Sequence, residues 1–184
     1  MIDLVTELAN KVQKEMTLPD ARLITDFSNL AAQQWIITND TVMGGKSSSQ
    51  FQINKDGNGV FLGTVSLENN GGFASVKNHE QINLTGFKSI LLRVLGDGHR
   101  YSFRLQTGED ESIHQWFYEQ RFQTEADKWA DIELPMTDFE PTYRGRTPED
   151  VPSLDPSAIK RYGFLISDNQ EGTFRLEIDS IRAD

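Results

Sequence analysis

The chain has 184 residues, with 28 Asp and Glu against 18 Lys and Arg, a formal net charge of −10. That balance excludes a nucleic-acid-coating protein, whose binding rests on many Lys or Arg contacts to phosphate. There is no cysteine, which removes disulfides, thiolate nucleophiles, iron–sulfur ligation and Cys-type zinc sites, and no apolar run is long enough for membrane insertion.

From the N-terminus, Ile2, Val5, Ala9, Val12 and Met16 recur at alternating spacings of three and four, with Leu8 alongside. That period predicts one amphipathic helix over residues 2–16, and Pro19 stops it. Residues 1–18 are expected to be helix and linker, and 19–184 a single β-sandwich domain. Asp3 and Glu7 interrupt the apolar positions, so the segment does not read as a secretory signal, and it lacks the arginines of a mitochondrial presequence. The expected location is cytoplasmic.

After Pro19 the hydrophobic period changes to two. Strands are predicted at 22–28, 34–39, 46–54, 59–67, 72–78, 87–95, 99–107, 114–123, 128–134, 160–168 and 172–182. Tyr101, Phe103 and Leu105 alternate with Ser102, Arg104 and Gln106; Phe174, Leu176 and Ile178 alternate with Arg175, Glu177 and Asp179. Asn54 to Gly59 has the chemistry of a hairpin turn. The proline-containing stretch 135–158 reads as one long ordered loop, with room for a short helical turn. Many short strands at regular spacing predict an all-β fold, an antiparallel sandwich or jelly roll.

Several short motifs fail. Gly45-Lys46-Ser47 resembles the end of a P-loop, but Asp40 stands where its first glycine belongs and a strand follows. Residues 54–59 resemble half of an EF-hand loop, but Val65 occupies the position of the bidentate carboxylate. His79, His99 and His114 are too dispersed to suggest a metal site. Glu68, Glu119, Asp168 and Glu177 offer carboxylate pairs of the glycosidase kind, but 28 acids supply such pairs in any fold. No enzyme activity, cofactor or metal is expected.

Two constellations suit binding. Arg93, Arg104 and Gln106 alternate with core residues and are expected to point outward together, near Trp116 and Tyr118 on one strand. A ring beside planar polar groups suits a sugar or a peptide; the competing reading makes Trp116 a core residue and Arg104 half of a structural ion pair. Arg144 and Arg146, in Tyr143-Arg144-Gly145-Arg146, can grip carboxylate or phosphate, unless Glu140, Glu149, Asp150 or Asp155 neutralises them.

Two glycine-rich runs remain: Asn39-Asp40-Thr41-Val42-Met43-Gly44-Gly45-Lys46-Ser47, and Leu67-Glu68-Asn69-Asn70-Gly71-Gly72-Phe73-Ala74-Ser75-Val76. Asn39, Asp40, Gly44 and Gly45 in the first, and Asn69, Asn70, Gly71 and Gly72 in the second, are predicted to be shaped corners. Paired glycines permit positive φ and close backbone approach. With Trp35, Leu92 to Gly98, Tyr143 to Arg146 and Gly163 to Asp168, these runs make the chain similar to the complex I intermediate-associated protein 30 family over roughly residues 25–182. The resemblance implies a galactose-binding-domain-like sandwich, akin to carbohydrate-binding modules. It also implies a non-catalytic role like that of the mitochondrial member, a chaperone of respiratory complex I assembly. The implied partner is a protein, such as a respiratory-complex subunit; carbohydrate binding is the alternative.

Overall fold

The computed structural model describes residues 21–28, 35–107 and 116–184. The predicted helix at 2–16 lies outside them. The described strands are β1 (Arg22–Thr25), β2 (Trp35–Asn39), β3 (Ser48–Ile53), β4 (Gly59–Val65), β5 (Ala74–Asn78) and β6 (Ser89–Leu95), then β7 (Arg100–Gln106), β8 (Phe117–Gln123), β9 (Trp129–Pro135), β10 (Glu140–Thr142), β11 (Arg161–Ile166) and β12 (Gly172–Ala183). Eleven of these fall within or beside the predicted strands. The twelfth, β10, corrects the loop expected at 135–158: Glu140, Pro141 and Thr142 pair with Glu119, Tyr118 and Phe117 at the sheet edge. Proline is tolerated there because an edge strand leaves one side unpaired.

The strands form two antiparallel sheets. The first has the order β3-β4-β12-β6-β9, with β1 also on β12; the second is β10-β8-β7-β11-β5-β2. The last strand in the chain therefore lies in the middle of the first sheet. It pairs β4 through Gly172 to Ile178 and β1 near its end, with β6 along its other side.

Side-chain alternation builds the core between the sheets. Tyr101, Phe103 and Leu105 of β7 and Tyr162, Phe164 and Ile166 of β11 are buried there against Phe61, Phe174, Leu176 and Ile178 from the first sheet. In β12 the inward set runs 174, 176, 178 and then 181, 183, a change of parity. The pairing with β6 shifts between Ile178 and Ser180. A bulge there adds one residue and returns Ile181 and Ala183 to the core face; without it both would face outward.

The predicted hairpin at 54–59 joins β3 to β4. The Asn54 carboxamide oxygen accepts from the backbone of Asp56 and Asn58, each at 3.0 Å, and Gly57 takes φ 87°.

Phe103 is fully buried and its ring meets Phe139, Tyr162 and Phe164. Phe103→Ala should destabilise the protein by about 3–5 kcal/mol, measured by chemical denaturation. A loss below about 1 kcal/mol would mean that the ring does not anchor the core.

Candidate functional site

Asn39 ends β2, and the chain then makes a 3-10 turn over Asp40–Met43 closed by Gly44 at φ 88°. The second glycine-rich run forms a matching corner over Glu68–Asn70, in which Asn69 and Asn70 are left-handed at φ 57° and 58°. Gly72 follows at φ 124°.

One side chain joins the two corners. Asp40 is fully buried. Its carboxylate accepts from the Ser47 amide at 2.9 Å, the Ser47 hydroxyl, the Gly72 amide at 2.7 Å and the Phe73 amide at 3.3 Å. The Asp40 amide donates to the Phe73 carbonyl at 3.2 Å. Around this centre Asn69 donates to the Gly44 carbonyl at 3.1 Å, Ser49 donates to the Asn39 side chain at 2.7 Å, and Lys46 pairs with Glu68. Burial opposes ionisation of Asp40 and is the largest single influence, but the donors from Ser47, Gly72 and Phe73 together outweigh it and hold the carboxyl below the ordinary aspartate value.

The two glycines of each pair divide the work. Gly44 and Gly72 supply positive φ. Gly45 and Gly71 supply room: a Cβ on Gly45 would fall 2.4 Å from Asp40 Oδ1, and one on Gly71 2.5 Å from Asp40 Oδ2. Residues beyond glycine at these two places would push the carboxylate off its donors.

The clamped turn projects two apolar side chains into solvent, Val42 at 70% and Met43 at 57% exposure. Sequence reasoning missed them, because an apolar pair between a polar turn and two glycines reads equally well as buried. The signal that could have found them is the turn itself: Asp40 must point in to reach Ser47 and Gly72, and the next residues of a tight turn are then left outside.

The other predicted site residues do not assemble into one surface. Arg93 is on β6 in the first sheet, paired with Asp131 across the strand boundary at 2.7 Å and lying over Trp129. Arg104 is on β7 in the second sheet, where it pairs with Glu119 at 2.6 Å and covers the Phe117 ring. Glu119 also accepts from Ser102 at 3.0 Å and faces Arg121, and Arg100 and Arg121 share Asp168. This ladder of alternating charge covers the outer face of the second sheet. Gln106 is buried, 3.3 Å from Arg161.

Tyr118 corrects the expected aromatic platform. It points inward, is 2% exposed, and donates its hydroxyl to the Pro152 carbonyl at 2.8 Å. Trp116 is half-buried and packed on the core. The parity of β8 causes this: Phe117 takes the outer face, so Tyr118 must take the inner one. Arg144 and Arg146 lie together on an exposed turn in which the backbones of Tyr143 and Arg146 exchange hydrogen bonds of 2.8 and 3.0 Å.

Asp40→Ala leaves buried donors at Ser47, Gly72 and Phe73 unmatched and should destabilise by about 3–5 kcal/mol. Because the folded pKa lies below the unfolded one, the carboxylate's contribution is complete above about pH 4 and is lost as pH falls through the folded value. Asp40→Asn should therefore show a shallower fall of stability below about pH 4 than the natural protein. Parallel acid limbs in denaturation at several pH values would refute this role for Asp40.

Two solved structures show the same fold. A family 11 carbohydrate-binding module from a Clostridium thermocellum cellulase matches with a TM-score of 0.66 at 14% identity, covering 91% of this chain and 95% of that one. The agarase AgWH50C matches with a TM-score of 0.59 at 9% identity, over 89% of this chain but 24% of the enzyme. Among relatives by sequence, an uncharacterized protein of Schizosaccharomyces pombe is 31% identical over 84% of this chain and 80% of its own. The complex I intermediate-associated protein 30, mitochondrial, of Mus musculus is 25% identical over 91% of this chain, and that of Drosophila melanogaster 23% over 80%; this chain spans 57% of each. The word mitochondrial in those two names overturns the cytoplasmic expectation, which rested on the composition of residues 1–18 and not on the fold. The family model described as complex I intermediate-associated protein 30 matches residues 25–178, and the chain belongs to that family.

Proposed function

We propose that this protein is a non-catalytic holding module of respiratory complex I assembly, which docks a protein partner through the Val42–Met43 turn. The observation that carries this reading is the pairing of exposure with rigidity. Val42 and Met43 are among the most exposed large apolar side chains, at 70% and 57%, yet they ride on a turn pinned at Asp40 and Gly44. A pre-ordered apolar projection gives up little conformational freedom on docking, and exposed apolar surface marks interaction sites. The names of the mouse and fly relatives supply the assembly context.

The non-catalytic reading is supported by the state of the carboxylates. Glu68 pairs with Lys46, Glu119 with Arg104, and Asp168 with Arg100. Glu177 is held by Asn54, Asn58 and Arg175, which keep its pKa low against the opposing and larger single influence of burial. A glycosidase acid needs the reverse of the Glu177 setting, a carboxyl held protonated near neutral pH.

Carbohydrate binding is the second reading. One observation favours it: a family 11 module solved in complex with a mixed-linked tetrasaccharide shares the fold, with a TM-score of 0.65 at 16% identity. Against it, a sugar platform requires an exposed ring. Among the described residues, the outer face of the second sheet carries the Arg104–Glu119 and Arg100–Asp168 pairs, its Phe117 ring lies under Arg104, and Tyr118 belongs to the core.

Affinity purification of tagged protein, with mass spectrometry of bound respiratory-complex subunits, tests the two readings beside a glycan array. Val42→Asp with Met43→Asp should abolish subunit capture while shifting the melting temperature by no more than about 2 °C. Undiminished capture by that double variant would remove the turn from the interface. Saccharide binding with no subunit capture would establish the second reading.

A further inference from the structure

The protein carries a large excess of acid, yet one turn concentrates two arginines that meet no carboxylate among the described residues. Arg93, Arg100, Arg104, Arg121 and Arg175 each meet a carboxylate within 3.5 Å. Arg144 and Arg146 meet none among the described residues, although Glu149 and Asp150 follow closely in sequence. Both arginines are exposed. With Tyr143, Thr147 and Pro148 they line an open cleft of about 530 Å3.

The turn is built to present them. Tyr143 and Arg146 pair across it, so their side chains leave the same face of the tiny hairpin. Arg144 lies over the Tyr143 ring, with its guanidinium carbon 5.3 Å from the centroid. The result is an aromatic ring under one guanidinium, with a second arginine on the same face of the turn. Arg144 also holds φ 49°, followed by Gly145 at 75°. Asn, Asp or Gly takes the first of these positions more readily than arginine does. A charged residue kept in a backbone state it disfavours, on an exposed turn and with no carboxylate partner among the described residues, points to use at a binding site.

We propose that this cleft binds an acidic segment of a protein partner, with Asp or Glu carboxylates on Arg144 and Arg146 and an apolar side chain against Tyr143 and Pro148. Guanidinium forks match carboxylates in geometry, and a local positive field on an acidic protein draws a negatively charged partner to that place. The openness of the cleft favours an extended segment, which can span both arginines, over a compact ligand that needs enclosure.

This surface is distinct from the Val42–Met43 turn. A continuous row across the second sheet joins Trp35, Asn78, Tyr162, Leu105, Tyr118 and Pro141. The arginine turn follows Pro141 beyond this row, whereas Val42 and Met43 follow Asn39, at the far end of β2. The inference relies on the holding-module reading only for the class of occupant.

The test is fluorescence anisotropy with a labelled peptide of alternating Glu and Leu, beside unlabelled tripolyphosphate as competitor. The natural protein should bind the peptide, more weakly as salt rises, and Arg144→Gly with Arg146→Ala should weaken binding about tenfold or more. Arg144→Gly relieves the positive φ, so it keeps the fold and serves alone if the double variant does not. Arg146→Lys keeps charge but not the fork and should give an intermediate loss. Val42→Asp should bind the peptide as the natural protein does, even where it loses its partner subunit. Absence of peptide binding, or binding unchanged in the arginine variants, would overturn the proposal. Tripolyphosphate binding more tightly than the peptide and failing in the same variants would reassign the cleft to small phosphoryl anions and overturn it equally.

Discussion

A buried carboxylate holds the two glycine-rich corners of this protein together. Asp40 arrives on the last turn of one chain segment and collects donors from a second segment more than thirty residues away. Neither segment has a hydrophobic face large enough to fix its own shape. A charged acceptor in a dry site is worth more than a neutral one, and an unmet donor there is correspondingly expensive. The geometry is therefore close to all-or-none: the corners are either joined through Asp40 or both lose their form. The glycines at positions 45 and 71 leave the space in which that carboxylate fits.

From this joint follows the character of the surface above it. Loops at the rim of a sandwich are ordinarily its least ordered parts. Here a loop is held by ionic hydrogen bonds and displays apolar side chains, the combination on which the proposed docking role rests. The remainder of the sandwich supplies a rigid frame. Its outer faces are occupied by paired charges, and its inner faces by rings packed edge to face, such as Phe61 against Phe174 at 4.9 Å.

The fold was largely legible because alternation with period two survives in β7 and in the first half of β12, while β4, β6 and β11 read as short apolar runs between turns. Even the bulge in β12 is written in the sequence as a change of parity between Ile178 and Ile181. The short strand β10 was not legible, since Glu-Pro-Thr is too short to alternate, carries a proline, and is held by pairing with β8 alone. The corner residues were legible from glycine and asparagine chemistry, but the role of Asp40 was not, because a buried aspartate and an exposed one look alike in sequence. Arg93 and Arg104 were expected together, yet period-two patterning says which side of a strand a residue takes and never which sheet the strand joins. Trp116 and Tyr118 failed for the related reason that aromatic residues in a strand suit the core as well as a binding face.

The two glycine-rich corners and the turn they carry form one cooperative unit through Asp40, and native-state hydrogen exchange of the Ser47, Gly72 and Phe73 amides tests this. In such a unit these three loop amides exchange only with global unfolding, as slowly as the amides of the central strand β11, and all three lose that protection together in Asp40→Asn. Fast exchange of the three in the natural protein, at rates typical of exposed loops, would contradict it.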